Sequence, residues 1–366
     1  MRFHRWTILL STAFLTAQLG TSPTRALEKV VFGTGAPLSV EYSEIFFGAE
    51  LGFYREEGLE LSLVGFQGTG VLVPQVINKS VQFGLAASLP LVLALAQDQP
   101  MPLRLVYNWL RLSYADFTVL ADSPIQTLAD LKGKRLGIFG FNYATTRITQ
   151  VALERLGIQW QKDVEVQPVG SGPAAWKQLE TGQVDAVNLN AADDARMVSA
   201  GLKIRRIPYP EDLLNTFSGV VITHADTIRT RPDLDKAIGR AMAKSTIACA
   251  AAREACVRSF WTFDPTSRPT PDKHAEWVRN AVAVLEAIYP AMSSFPDNDA
   301  RWGSFVTQDF DTYIDTLKDA GLIARTDLPR EMLYTNQFVA SFNDFDPDEV
   351  RRRAREFAIR QGSLLQ

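Results

Sequence analysis

Apolar positions along this chain switch between a period of two and a period near 3.6, which predicts strands alternating with helices and hence an α/β fold. Residues 130–157, DLKGKRLGIFGFNYATTRITQVALERLG, show the switch in one pass. Residues 134–139 form a short apolar run opened by Gly133 and closed by Gly140, while 145–156 place Ile148, Val151, Ala152 and Leu156 on one helical face. Between strand and helix lies a polar and aromatic loop, Phe141-Asn142-Tyr143-Ala144-Thr145-Thr146. Ligands of open α/β sheets bind at such junctions, because the first backbone N–H groups of a helix have no partner inside it. The loop is therefore expected to form one wall of a small-molecule site.

The same switching organises the rest. Strands are predicted at 29–33, 59–64, 81–85, 103–109 and 116–121, and then at 164–168, 184–188, 202–207 and 217–223. Helices are predicted at 44–54, with Ser43 as its cap, and at 71–77, 171–181 and 193–200. Ser88, at the end of the third strand, is placed to cap the next helix, which repeats the geometry of the Asn142 loop. Two such junctions are expected to face each other across a cleft. The chain crosses near 107–116 and again near 209–219, giving a first lobe from 27–112 and 218–366, a second from 113–217, and a double hinge between them. From Pro232 onward the pattern is helical.

Composition narrows the class. At 366 residues, 46% hydrophobic and 22% charged, the chain is ordinary globular material, long enough for two cores. Arg2, Arg5 and Arg25 carry the only charges in the first 26 residues, so the formal net charge of −3 leaves −6 on the remainder, no electrostatic basis for binding nucleic acid. Residues 1–26 read as a signal peptide: two arginines, an apolar stretch at 6–19, then Thr24-Arg25-Ala26 as a small-x-small cleavage site, with no lipid-accepting cysteine. A soluble exported protein starting near Leu27 is expected. Cys249 and Cys256 lie within 234–260, which reads as one helix, so about 10 Å of rise would separate them. A disulfide needs Cα atoms within roughly 7 Å, so two free buried thiols are expected unless that helix is broken.

Several stretches resemble a known family: AELGFYREEGLEL at 49–61, VQFGL at 81–85, DSPI at 122–125 followed by LADLKGKRLG at 128–137, and LETGQVDA at 179–186. In this order and spacing they are similar to the periplasmic solute-binding proteins of ABC importers for nitrate, sulfonates, taurine and thiamine-precursor pyrimidines. The resemblance implies the type II periplasmic binding protein fold, two lobes each built on a mixed sheet flanked by helices, closing on a solute in the cleft between them. It implies an extracytoplasmic, periplasmic binding component, a monomer that delivers its solute to the membrane subunits of a permease, with no cofactor and no metal.

By the family's pattern, solute contacts fall on Tyr42 and Ser43, on Ser88, on the loop holding Asn142, Tyr143 and Thr145, on Asn188, Asn190 and Asp193, and on Phe217 and Ser218. All lie at strand ends, where helix amino termini offer free donors. Trp109 and Arg111 join them at the first crossing. Each has a structural alternative: Asn142, Thr145 and Ser88 as caps or turn residues, Trp109 as core, Arg111 as a solvated side chain, and Asp193 with Asp194 as neutralisers of a helix amino end. Tyr143, an aromatic in a polar loop, needs cover that a cleft solute would supply.

Catalysis is not indicated. His224 and His274 are fifty residues apart, there is no HExxH or GxSxG, and neither cysteine sits in a nucleophile signature. The enzyme alternative is a thiamine-pyrimidine synthase, which shares this scaffold but carries a cysteine-rich iron-binding run absent here. A sensory or interaction protein on the same fold is the other alternative, and the arginine-rich stretch PDEVRRRAREFAIR at 347–360 is its candidate surface.

Overall fold

The computed structural model describes residues 26–141, 143–214, 216–295 and 301–364; the expected signal peptide and Asn142 fall outside these ranges. Strands β1 (Glu28–Thr34), β2 (Leu59–Gly65), β3 (Phe83–Ala86) and β4 (Leu103–Leu110) precede β5 (Ala115–Leu120), β6 (Arg135–Ile138), β7 (Glu165–Pro168), β8 (Ala186–Asn190) and β9 (Ile204–Ile207), and β10 (Gly219–His224) follows. The first sheet has the order β2-β1-β3-β10-β4 and the second β7-β6-β8-β5-β9. Each contains four strands running in one direction and one antiparallel insertion, β10 in the first and β5 in the second. In both lobes the antiparallel strand is the one that has just crossed from the other lobe. The short crossovers, 111–114 and 208–218, therefore run side by side at the β4 and β9 end, and β2 and β7 form the far edges.

Helices α1 (Ser43–Glu50), α2 (Phe53–Glu56), α3 (Thr69–Ile77), α4 (Leu89–Ala96), α5 (Ala144–Glu154), α6 (Pro173–Glu180) and α7 (Ala191–Ser199) alternate with the strands. Then come α8 (Ala225–Thr230), α9 (Pro232–Ala251), α10 (Arg253–Phe263), α11 (His274–Ser293), α12 (Thr307–Asp319) and, after two short turns, a last helix, Pro347–Leu364. The alternation of β10 explains the layering. Val221 joins the apolar cluster holding Ile45 and Phe47 of α1 and Ile238 and Met242 of α9, whereas Val220 and Ile222 join Leu72 and Val76 of α3 on the other face. At Gly48 a Cβ would lie 1.7 Å from Oγ of Ser245, so α1 and α9 approach this closely only with glycine there.

Three local expectations are corrected. The predicted helix over 44–54 is two, separated at Gly52, whose φ of +83° interrupts the helix. Ser43 does not cap α1; Tyr42 occupies that position and the Ser43 hydroxyl donates to the Val40 carbonyl at 2.7 Å. The predicted helix over 234–260 breaks at Ala252, with φ −145° and ψ 60°, and the turned backbone brings the Cα atoms of Cys249 and Cys256 to 5.1 Å. They form a buried disulfide in place of the two free thiols expected.

Candidate functional site

The first lobe presents the loop between β1 and α1, the end of β3 and the end of β4. Tyr42 stacks on Trp109, with ring centroids 5.9 Å apart and planes 20° from parallel. The Trp109 Nε1–H donates to the carboxylate of Glu44, and both side chains are buried. Burial pushes the Glu44 carboxyl up to about 7, opposed by hydrogen bonds from Trp109 and Thr246 and by the charge of Arg253. Ser88 leaves α4 without a side-chain cap; its hydroxyl donates to the Thr216 carbonyl in the second crossover at 2.8 Å, and the Tyr313 hydroxyl of α12 also bonds to it. Arg111 is neither solvated nor free: it is buried, forms an ion pair with Asp309 of α12, and lies 5.7 Å from the Phe295 ring centre. Phe217, in the left-handed region at φ +42°, is fully buried against Phe305, Phe310 and Tyr313, and Ser218 is half-buried beside it at the start of β10.

The second lobe is organised differently. Tyr143 is 50% exposed and stacks on Phe139 at 5.4 Å, and Phe141 beside it is 48% exposed. Thr145 lies in the first turn of α5 and its carbonyl accepts from the Thr149 hydroxyl at 2.8 Å. Asn188 is buried: its Oδ1 accepts from Thr149 at 2.6 Å, and its Nδ2 donates to the Asp116 carbonyl at 3.0 Å and the Tyr209 hydroxyl at 2.6 Å. Asn190 caps α7, accepting from the Asp193 N–H at 2.9 Å. Asp193 is buried and lies 3.4 Å from Arg196, which forms a second ion pair, with Glu41 of the first lobe. Burial pushes the Asp193 carboxyl up to about 6 against the pull of Arg196. Tyr114, in the first crossover, is also raised by burial and by the charges of Glu41 and Asp193.

Three groups result. Tyr42, Trp109, Tyr114, Glu41, Asp193 and Arg196 assemble across the two lobes. Ser88, Arg111 and Phe217 gather around α12 at the crossovers. Tyr143 stands apart on the more open wall. Sequence reasoning missed Glu44, the Glu41–Arg196 pair, Asp309 and Tyr313. Only Glu44 had a signal: it lies in SEIFFG, where every residue is buried, so a carboxyl there needs an internal partner. Among the described residues, no three His, Cys, Asp or Glu side chains are placed to hold a metal ion.

The family model described as NMT1/THI5 like matches residues 39–255, well over half of the chain. The chain belongs to this family. A Haemophilus influenzae protein named for thiamine biosynthesis is 27% identical over 183 residues, 50% of this chain; the match spans little more than half of that relative's length, 56%. Among solved structures, the alkanesulfonate-binding protein SsuA from Xanthomonas axonopodis pv. citri, bound to MOPS, superposes with a TM-score of 0.61 at 16% identity, covering 85% of this chain and 99% of its own. The desulfurization enzyme DszB superposes with a TM-score of 0.53 at 17% identity, over 86% and 98%. These likenesses establish the periplasmic binding protein fold, a scaffold that carries both binding proteins and an enzyme.

Proposed function

We propose that this chain is the extracytoplasmic solute-binding component of an ABC importer, a periplasmic monomer that takes a small organic solute between its lobes and presents it to a membrane permease. The observation that carries the reading is topological. The chain passes between two sheets at paired crossovers, and with this strand order the carboxyl ends of β1, β3, β6 and β8 would line a cleft between the lobes, the arrangement in which a bridging solute favours the closed form. The bodies that move would be 27–112 with 218–366, and 113–217. The described side chains support a flat aromatic or heteroaromatic solute, pyrimidine-like, ahead of a sulfonate. Tyr42 and Tyr143 offer ring faces, whereas the guanidinium of Arg111 is engaged by Asp309 and that of Arg196 by Glu41 and Asp193.

The test is a thermal-shift screen of protein unfolded and refolded to strip bound solute, against pyrimidines, aromatic acids, sulfonates, taurine and nitrate. A solute at about a hundred times its Kd adds roughly 2.7 kcal/mol and raises Tm by a few degrees. A pyrimidine is expected to give the largest shift. No shift with any compound, together with nothing bound to the unstripped protein by mass spectrometry, would overturn the reading.

A further inference from the structure

Helix α11 belongs to the C-terminal segment, after the chain has returned to the first lobe, yet it lies against both lobes. On the first-lobe side it packs on α10, on β4 and on the turn at Val40–Tyr42; on the other it packs along α7, which belongs to the second. The apolar stripe Val284, Leu285, Ile288 and Ala291 of α11 shares one continuous buried cluster with Trp109 of the first lobe and Ala192 and Ala195 of α7. Small residues on α7 let the two helices approach. The Ala291 carbonyl accepts from the backbone N–H groups of Arg111 and Leu112 at 3.0 and 3.3 Å, which ties the end of α11 to the first crossover. The Glu41–Arg196 ion pair joins the lobes beside the same contact.

We infer that α11 and the Glu41–Arg196 pair act as a third connection between the lobes, a strap that holds this side of the cleft together before any solute arrives. An apolar helix–helix contact is lost in full when its faces separate, whereas a partly exposed ion pair contributes little alone, so the α7–α11 packing is the principal part of the strap and the pair its register. The inference rests on the reading of the lobes as a solute-capturing pair, but its test needs no solute.

Solution X-ray scattering of the stripped protein is expected to match the compact arrangement described here; a profile that requires separated lobes overturns the strap. Ala195→Glu, which places a carboxylate between α7 and α11, is expected to increase the radius of gyration and to speed amide exchange at Arg111 and Leu112 by about tenfold or more, with the β3–β10 ladder still protected. Arg196→Gln, which leaves the packing intact, is expected to change both readouts in the same direction and less. An unchanged radius and unchanged exchange in folded Ala195→Glu protein overturns the proposal. Should that variant fail to fold, the wild-type profile and Arg196→Gln decide: separated lobes in the one, or no change in exchange in the other, overturns it. A compact stripped protein that gives no thermal shift with any compound would refute solute capture and leave the strap standing.

Discussion

The loops after β3 and after β6 are the same device in sequence, a strand end carrying a small polar residue before a helix, and the fold uses them in opposite ways. Ser88 is buried and bonded to Thr216 and Tyr313, so the β3 junction is part of the packing around the crossovers. Tyr143, at the β6 junction, is half exposed and, among the described residues, stacks on Phe139. A residue at a strand's carboxyl end is available to a solute only if no later part of the chain reaches it first, and here the C-terminal helices reach the first-lobe junctions. That contrast can be broken from either side.

The largest effect is expected at the crowded side. Arg111→Ala leaves the Asp309 carboxylate buried without its partner and should cost about 3–5 kcal/mol in urea unfolding, with Asp309→Ala comparable. A loss below about 1 kcal/mol would mean that the tail does not clamp the crossover.

The next effect depends on pH. Folding raises the Glu44 carboxyl from its ordinary 4.5 to about 7, so the native state pays a charging penalty that is absent below the unfolded value and complete above the folded one. Glu44→Gln keeps an acceptor for the Trp109 N–H and carries no charge. Its stability relative to wild type should rise as pH increases from about 4 to 7 and then level off, as read by thermal melts. A difference that does not vary with pH would place the carboxyl in water.

Ser88→Ala removes a buried hydrogen bond to the second crossover and should cost about 1–3 kcal/mol. Tyr143→Ala is expected to change stability by less than about 0.5 kcal/mol, since its ring is half exposed, and to weaken solute binding by more than about 1 kcal/mol in calorimetry. If the Tyr143 substitution left affinity intact while Ser88→Ala abolished it in folded protein, the assignment of the two junctions would be reversed.

The strands and the helices between them were legible because local periodicity specifies them; apart from the helix over 44–54, which Gly52 divides, their ends in the structure lie within about two residues of expectation. The break at Ala252 was not. Residues 249–256, CAAAREAC, are all compatible with a helix and include no glycine or proline to mark a turn, so the disulfide could not be anticipated from spacing. The fates of Arg111 and Ser88 were hidden for a different reason. Their partners Asp309 and Tyr313 lie about two hundred residues downstream in a segment whose pattern specified helices without saying where they dock. What local chemistry showed was which residues stand at the strand ends, and what it withheld was which of them the tail would cover.

The Ala252 elbow decides how the protein has to be made. The chain has two cysteines, so a single intramolecular pairing exists and oxidation cannot yield a scrambled isomer. A thiol oxidant suffices and no shuffling catalyst is called for, but the bond closes only where thiols are not kept reduced. Protein produced in a reducing cytoplasm would carry the elbow between α9 and α10 unbridged. Binding measured on such material would describe a different molecule from the disulfide-bonded one.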